Sequence, residues 1–466
     1  MTRPELTAHQ ALGVEWITRH GRGLLGDEPG MGKTRIAIEA FDRPDTRVLV
    51  VAPAMVITGG TWENELARWA NHPESFTVVP YTSLNVREKT GKTKSSTRPV
   101  KKLKPEYAGE YDAVILDEAH YIKGRATSWT WAVQRISRKA GKLLAMTGTP
   151  VPNWAHEMFT LLQVVYPDRA VPGGELGSYW RWVETWFQVT PSYFHEGNDI
   201  GGLIACTPAC RRRPANDPCE HYWRFMEVNF RGKFLRRLRK DCLDLPEVTT
   251  QTIQCPMSAT QKRAYNSMKK DYLAELEGGA EVVAWTDGAK NVALDRITTT
   301  PWLLQQEGDP RGGKLERLKF DLSSRSNPTV VFAHYRDTVD ACVVVARSLG
   351  ARAAGVHGGV DKRRAGQYIK QFKEGKLDVL VGSLETLAEG QQLTVADMLI
   401  LVEVSFKPSR NEQARMRVDR MGQVNPVTIL DYVTPGTVDE RKRKLLAEKT
   451  DHQMRVMSAG DFASLV

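Results

Sequence analysis

Gly26–Thr34 reads GDEPGMGKT. Closely spaced glycines let backbone N–H groups approach phosphates with no Cβ in the way. A lysine can reach β- and γ-phosphates, and a following hydroxyl can hold Mg²⁺. Gly30, Gly32, Lys33 and Thr34 supply those parts. Asp27 stands where the strict G-x-x-x-x-G-K-T pattern has its first glycine, so this stretch alone could also be a Gly-rich turn before a helix. Ala113–His120 reads AVILDEAH. An apolar strand ending in two acids suits nucleotide hydrolysis: one carboxylate for Mg²⁺, the next to polarise the attacking water. Asp117 and Glu118 fit those roles; the competing reading is a pair of solvated acids at a strand end. Thr147–Pro150, TGTP, follows the apolar stretch LLAM, and its small hydroxyl residues can sense a γ-phosphate. Gln413–Gln423 reads QARMRVDRMGQ and spaces Arg417 and Arg420 to share one face if helical. Arginines brought to a transferring phosphate are worth about 10³–10⁵ in rate. A solvated basic helix face is the alternative.

A second cluster has metal-ligand chemistry. Cys206, Cys210, Cys219 and His221 form C-x₃-C-x₈-C-x-H. Four such ligands could wrap one tetrahedral structural Zn²⁺, and the basic, Pro-rich loop Arg211–Pro218 between them has no packable core of its own. Reduced surface cysteines beside a chance histidine are the competing reading. His195 is a spare ligand candidate.

The elements that must position these residues alternate between strand and helix. Val48–Ala52 (VLVVA) and Ala113–Leu116 (AVIL) are short apolar runs that suit buried parallel strands. Between them Trp62, Leu66 and Trp69 recur at helical spacing. Residues 166–245 differ in texture, with Trp180, Trp182 and Trp186, three cysteines close together and the basic run Arg231–Lys240; the tryptophans read as core packing. From about 246 the chain turns helical, over Ser258–Leu276, then resumes β/α alternation at Thr329–Ala333, Val379–Gly382 and Met398–Val402. The pattern predicts two α/β units.

Composition narrows the class. With 466 residues, 41% hydrophobic and 26% charged, the chain is neither disordered nor fibrous. Its longest apolar run, Val48–Ile57, is far below the ~20 residues that span a bilayer, and no secretory signal is visible at the N-terminus. Six cysteines do not make a disulfide scaffold, so a reducing compartment is expected. The net charge of +10 points to an anionic partner, nucleic acid first. That charge is concentrated. Arg87–Lys104 holds eight basic residues and one acid, and Arg231–Lys240 six basic residues and none. The first reads as a solvated loop, the second as a DNA-contact segment through Arg236, Arg237, Arg239 and Lys240, whose neutralisation would flatten the salt dependence of binding.

In this order the motifs resemble those of superfamily-two helicases with a DEAH box, specifically the Swi/Snf-like double-stranded-DNA translocases. The likeness covers most of the chain. Leu6 through Gln10 resembles the adenine-reading Q motif, and DEPGMGKT resembles D-E-x-G-x-G-K-T. APAMVITGGTWENELARW, LDEAHYIKG, TGTPVPN, FLRRLRKDCLDLP, VVFAHYRDTVD and GVHGGVD resemble the motifs that follow. Q-A-x-x-R-x-x-R-x-G-Q is specific to this group, and its form after Phe406–Ser409 is most similar to the fork-remodelling, annealing-helicase branch. One departure stands in motif V, AEGQQLTVAD (Ala388–Asp397), where Gln391 and Gln392 replace common Gly and Asn; it bears on the coupling of DNA to ATP.

The resemblance implies two RecA-like doubly wound parallel-sheet lobes, to which the residue texture and the Cys/His spacing add helical and zinc-binding insertions. The pattern along the chain sets lobe one at 1–165, an inserted subdomain at 166–245, a helical protrusion at 246–325, lobe two at 326–445 and a tail at 446–466. ATP would lie between the lobes, held by Gln10, Gly30, Met31, Gly32, Lys33, Thr34 and Arg35. Mg²⁺ would sit on Thr34 and Asp117, with Glu118 as base and Arg417 and Arg420 as arginine fingers. His120, Thr147, Gly148, Thr149, Gly390 and Gln413 would couple hydrolysis to movement on duplex DNA, including forked or branched duplexes. The expected setting is cytoplasmic, as for a nucleoid-associated bacterial protein or a phage protein in its host. A strand-separating helicase on DNA or RNA, and an ATP-gated DNA-binding scaffold with poor turnover, remain the other readings.

Overall fold

The computed structural model describes residues 3–87, 101–151, 154–192, 197–271, 273–275, 281–283, 287–299, 313–387, 392–420 and 422–463. Most of the basic Arg87–Lys104 loop, together with Asn153, His195, Gly390 and Gln391, lies outside them. The chain divides into two compact units, Met1–Leu243 with Lys449–Val466, and Asp244–Glu448.

The first unit is built on a six-stranded, all-parallel sheet in the order Phe234–Leu235, Arg22–Leu25, Lys142–Met146, Ala113–Leu116, Val48–Ala52, Phe76–Pro80. Its strands Val48–Ala52 and Ala113–Leu116 are apolar along their whole length because both faces are covered. Alternate residues feed opposite cores. Leu24, Leu49, Val51, Val114, Leu116 and Leu143 pack on one side. Leu25, Val48, Val50, Ile115, Leu144 and Met146 pack on the other, under the helices Ala8–His20, Lys33–Phe41 and Thr61–Trp69. The inserted stretch joins the first of these cores. Trp182 is buried among Phe159, Phe187 and Phe225, with ring centroids 5.2–5.8 Å apart, so it is packing rather than a stacking platform.

The second unit repeats the design with the order Val248–Gln254, Val427–Val433, Met398–Leu401, Thr329–Ala333, Val379–Ser383, Ala353–Val356, again all parallel. Val331, Val381, Ile400 and Tyr432 face one core, Val330, Leu380, Leu399 and Ile429 the other. Two assignments differ from the pattern reading. Val248–Gln254, expected to open a helical stretch, is an edge strand; its sequence VTTQTIQ is mostly exposed, which is why no apolar run marks it. Phe234–Leu235, inside the basic run, adds the outermost strand of the first sheet, because Phe234 is buried there. Among the described residues no helix is long and apolar enough to cross a membrane.

Candidate active site

In open parallel sheets, ligands bind beyond the carboxyl ends of the strands. Three neighbouring strands of the first sheet, Arg22–Leu25, Lys142–Met146 and Ala113–Leu116, end respectively in the glycine loop, the TGT turn and the Asp-Glu pair. Sheet order thus gathers segments far apart in the chain.

The glycine loop leads into the helix Lys33–Phe41 through Gly32, which is left-handed at φ 78° and ψ 32°; Gly30 has φ 88°. Glycine is needed at position 32 twice over, because a Cβ there would lie 2.3 Å from Gln10 Nε2. Gln10 is therefore against the loop, as the Q-motif likeness requires. Its Oε1 accepts the Thr7 N–H at 3.2 Å. His9, which the sequence reading passed over, adds a 2.9 Å hydrogen bond between Nε2 and the Met31 carbonyl. Lys33 Nζ donates to the carbonyls of Asp27 (2.7 Å) and Glu28 (3.1 Å), so the ammonium lies within its own loop. Arg35 is placed differently from the expectation of an ATP contact. Its guanidinium donates to the carbonyls of Pro4 and Glu5 and lies 4.0 Å from the Trp69 ring centroid. It braces the segment before the first helix.

Asp117 follows its buried strand and is tightly held. Trp62 Nε1 donates to Oδ2 (2.9 Å) and the Glu118 N–H to Oδ1 (3.0 Å), while Tyr81 Oη donates to the Asp117 carbonyl (2.8 Å). Desolvation, with the Glu118 charge next, pushes the Asp117 carboxyl up to about 6; Trp62 and Lys33 pull the other way. Thr34 and Asp117 offer a hydroxyl and a carboxylate, hard oxygen donors suited to Mg²⁺. Glu118 has φ 46° and ψ 51°, a left-handed conformation unusual for a non-glycine, which breaks the strand and starts the turn Ala119–Lys123. Its Oε2 is 3.2 Å from His120 Nδ1. The same nitrogen is 3.0 Å from Thr147 Oγ1 and 3.4 Å from Thr149 Oγ1, and the Thr149 N–H donates to Thr147 Oγ1 at 3.1 Å. A Cβ on Gly148 would sit 2.6 Å from Pro29 Cγ, so the TGT turn rests on the glycine loop. Glu118, His120, Thr147 and Thr149 form one polar relay beside that loop.

The basic run is not an open cationic face. Asp27 is fully buried and accepts from Arg237 through the main-chain N–H (2.9 Å), Nε (3.0 Å) and Nη2; Arg237 also donates to the His9 carbonyl. Glu28 accepts the Arg239 N–H at 2.7 Å and lies 3.6 Å from Arg236. Arg236 and Arg239 are buried and only Lys240 of the four is exposed. Of the four residues expected to face DNA, Arg236 and Arg237 pair with the glycine loop through their side chains, Arg239 joins it through its main chain, and Lys240 is exposed. The pairing also accounts for Asp27 and Glu28 at the start of the loop.

The cysteine cluster closes in the same unit. The ligand atoms of Cys206, Cys210, Cys219 and His221 all lie within 4.8 Å of one another, with Cys206 Sγ–Cys219 Sγ at 3.5 Å and His221 Nδ1 3.5 Å from Cys219 Sγ. A tetrahedron with Zn–S bonds of about 2.3 Å has edges of roughly 3.8 Å, so the donor set fits zinc.

In the second unit the helix Pro408–Arg415 carries buried Gln413 and ends before Arg417 and Arg420, which lie in the following turn rather than on a helical face. Gln423 Nε2 fixes that turn by donating to the carbonyls of Ala396 (2.7 Å) and Val418 (3.2 Å). The Leu393 N–H donates to the Arg417 carbonyl at 2.9 Å, so the altered motif V abuts the arginine turn.

The profile of the SNF2-related domain matches residues 9–293, and that of the helicase conserved C-terminal domain residues 313–422. The chain belongs to the SNF2-related family. Among SNF2-related relatives, it is 25% identical to the SWI/SNF chromatin-remodeling complex subunit snf22 of Schizosaccharomyces pombe, over 98% of this chain and 28% of that protein. It is 23% identical to the DNA annealing helicase and endonuclease ZRANB3 of Homo sapiens, over 94% of this chain and 39% of that protein. The chain spans between 28% and 42% of the length of the curated relatives it matches. The SWI2/SNF2 ATPase core of Sulfolobus solfataricus, solved with double-stranded DNA, aligns over 98% of this chain and 94% of its own, at 21% identity and a TM-score of 0.41.

Proposed function

We propose that this SNF2-related chain is a DNA-dependent ATPase that translocates on double-stranded DNA and so remodels DNA or protein–DNA complexes. The observation that carries the reading is the convergence of Lys33, Asp117, Glu118, His120, Thr147 and Thr149 at the carboxyl ends of three adjacent strands. In this reading Gln10 and the glycine loop bind ATP, and Thr34 and Asp117 hold Mg²⁺, which neutralises phosphate charge when bound. Glu118 takes the proton of the attacking water. The His120–Thr147–Thr149 relay then feels the loss of the γ-phosphate, since it touches both Glu118 and the turn resting on the loop. Arg417 and Arg420 act as arginine fingers from the second unit, and Gln413 and Gly390 belong to the coupling set. Cys206, Cys210, Cys219 and His221 hold a structural Zn²⁺. The branch likeness makes forked or branched duplexes the preferred substrate class, and cysteines that form no disulfide among the described residues suit a reducing compartment.

The test is steady-state phosphate release in the presence of duplex DNA, forked DNA, single strands, RNA or no nucleic acid. Duplex DNA is expected to raise turnover strongly, and Lys33→Ala or Arg420→Ala to abolish the rise. Equal activity with and without every nucleic acid overturns the reading.

A further inference from the structure

The terminal helix Val438–Ala463 ends against the cysteine cluster, in a set of contacts that nucleotide chemistry does not use. Arg455 is only 6% exposed. Its Nη1 donates to the Cys210 carbonyl (3.0 Å), its Nη2 to the Arg213 carbonyl (2.7 Å) and its Nε to Asp451 (2.7 Å). One turn back, buried-side His452 Nδ1 lies 3.1 Å from Tyr222 Oη, next in sequence to the ligand candidate His221. Val456 and Met457 enter the same core cluster as Cys219 and Tyr222.

Two of the acceptors of this buried guanidinium are main-chain carbonyls on or just after the five-residue helix Pro208–Arg212. So short a helix does not hold itself in water. Of the residues that follow it, Arg213, Pro214, Asn216 and Asp217 are exposed and add little packing. The carbonyls are therefore presented to Arg455 only if something else fixes this turn, and Cys210 is both a carbonyl acceptor for Arg455 and a member of the four-ligand cluster.

We propose that Zn²⁺ bound by Cys206, Cys210, Cys219 and His221 is the latch for the terminal helix. The metal orders the Pro208–Arg212 turn, the turn seats Arg455, and Arg455 holds residues 449–458 on the first unit. The inference rests on the zinc reading above. Metal loss then acts at a distance, by freeing the end of the chain, while the glycine loop keeps its own contacts.

The experiment uses the full chain and two readouts, zinc per chain by elemental analysis and backbone hydrogen exchange by mass spectrometry. Wild type is expected to carry about one zinc, the stoichiometry of a four-ligand structural site. Stripping with a chelator is expected to speed exchange across 449–458 by about tenfold or more, the scale of losing a buried charge-assisted hydrogen bond in an opening equilibrium. Added Zn²⁺ reverses this, and the strand Met398–Leu401 is unaffected. Arg455→Ala keeps the metal yet exchanges at 449–458 like stripped wild type. Zinc near zero in metal-replete protein overturns the zinc reading and the latch together. Zinc at one per chain with slow exchange in Arg455→Ala, or with exchange unchanged by stripping, overturns the latch alone. If stripping loosens the whole chain, the metal-loaded Arg455→Ala protein still decides.

Discussion

Replacing Arg237 by alanine distinguishes a structural strap from a DNA contact. Asp27 is fully buried and takes three hydrogen bonds from Arg237, two of them from the guanidinium, whose side chain is 14% exposed. Removing one partner of a buried ion pair costs roughly 3–5 kcal/mol, because the other charge is left without compensation. The main-chain N–H at 2.9 Å survives the substitution, so the lower end, about 3 kcal/mol, applies. At about 2–4 °C per kcal/mol for a domain of this size, the Tm of the first unit should fall by about 6–12 °C. Differential scanning calorimetry measures it. Asp27→Ala should cost a similar amount, and the double variant less than the sum of the two, because the sites share one interaction. The salt dependence of duplex binding should be unchanged. A Tm within about 1 °C of wild type, together with a log–log salt slope smaller by about 0.9, the increment for one lost phosphate contact, would refute the reasoning and return Arg237 to the DNA interface.

Other expectations follow from the same geometry. The Asp117 carboxyl is held up to about 6, so the folded chain binds this proton more tightly than the unfolded chain, where about 3.9 applies. Its stabilising contribution is complete below pH 4 or so and is lost as pH rises through about 6. Asp117→Asn should therefore raise the Tm at pH 8 without Mg²⁺ while ending hydrolysis; a lower Tm at that pH contradicts the assignment. If Asp117 holds Mg²⁺ as proposed, wild-type hydrolysis should fall as acid protonates its carboxyl, at a pH below about 6 that drops further as Mg²⁺ is raised, because the cation competes with the proton. Gly32→Ala places a Cβ 2.3 Å from Gln10 Nε2 and asks a left-handed φ of alanine, a conformational cost of about 1–3 kcal/mol. Titration with a fluorescent ATP analogue should show binding weakened at least tenfold, about 1.4 kcal/mol; wild-type affinity would mean that the loop opens on binding ATP.

What the sequence made legible was local. Gly32, Lys33, Asp117, Glu118 and Thr147 sit in short runs whose spacing reflects strand ends and turns, and the apolar runs of the central strands mark buried parallel sheets. The relay through His120 followed once those strands were neighbours. The basic run misled because charge does not say where its partner is: Asp27 lies 210 positions before Arg237. Arg35 was drawn to ATP by its place after the glycine loop, whereas Trp69 and the carbonyls of Pro4 and Glu5 hold it. The strand Val248–Gln254 has no apolar run because this edge of its sheet is largely exposed. The docking of Arg455 on Cys210, 245 positions away, has no local signature at all.

The central claim is that one polar constellation at the ends of three strands hydrolyses ATP in response to duplex DNA. The most direct measurement is phosphate release by wild type and Glu118→Gln, each with and without duplex DNA at saturating Mg²⁺ and ATP. The account predicts strong DNA stimulation in wild type and, in Glu118→Gln, a rate lower by about 10²–10⁴, the usual worth of a positioned base, with ATP still bound. A Glu118→Gln protein that turns over normally, or a wild type indifferent to duplex DNA, would contradict it.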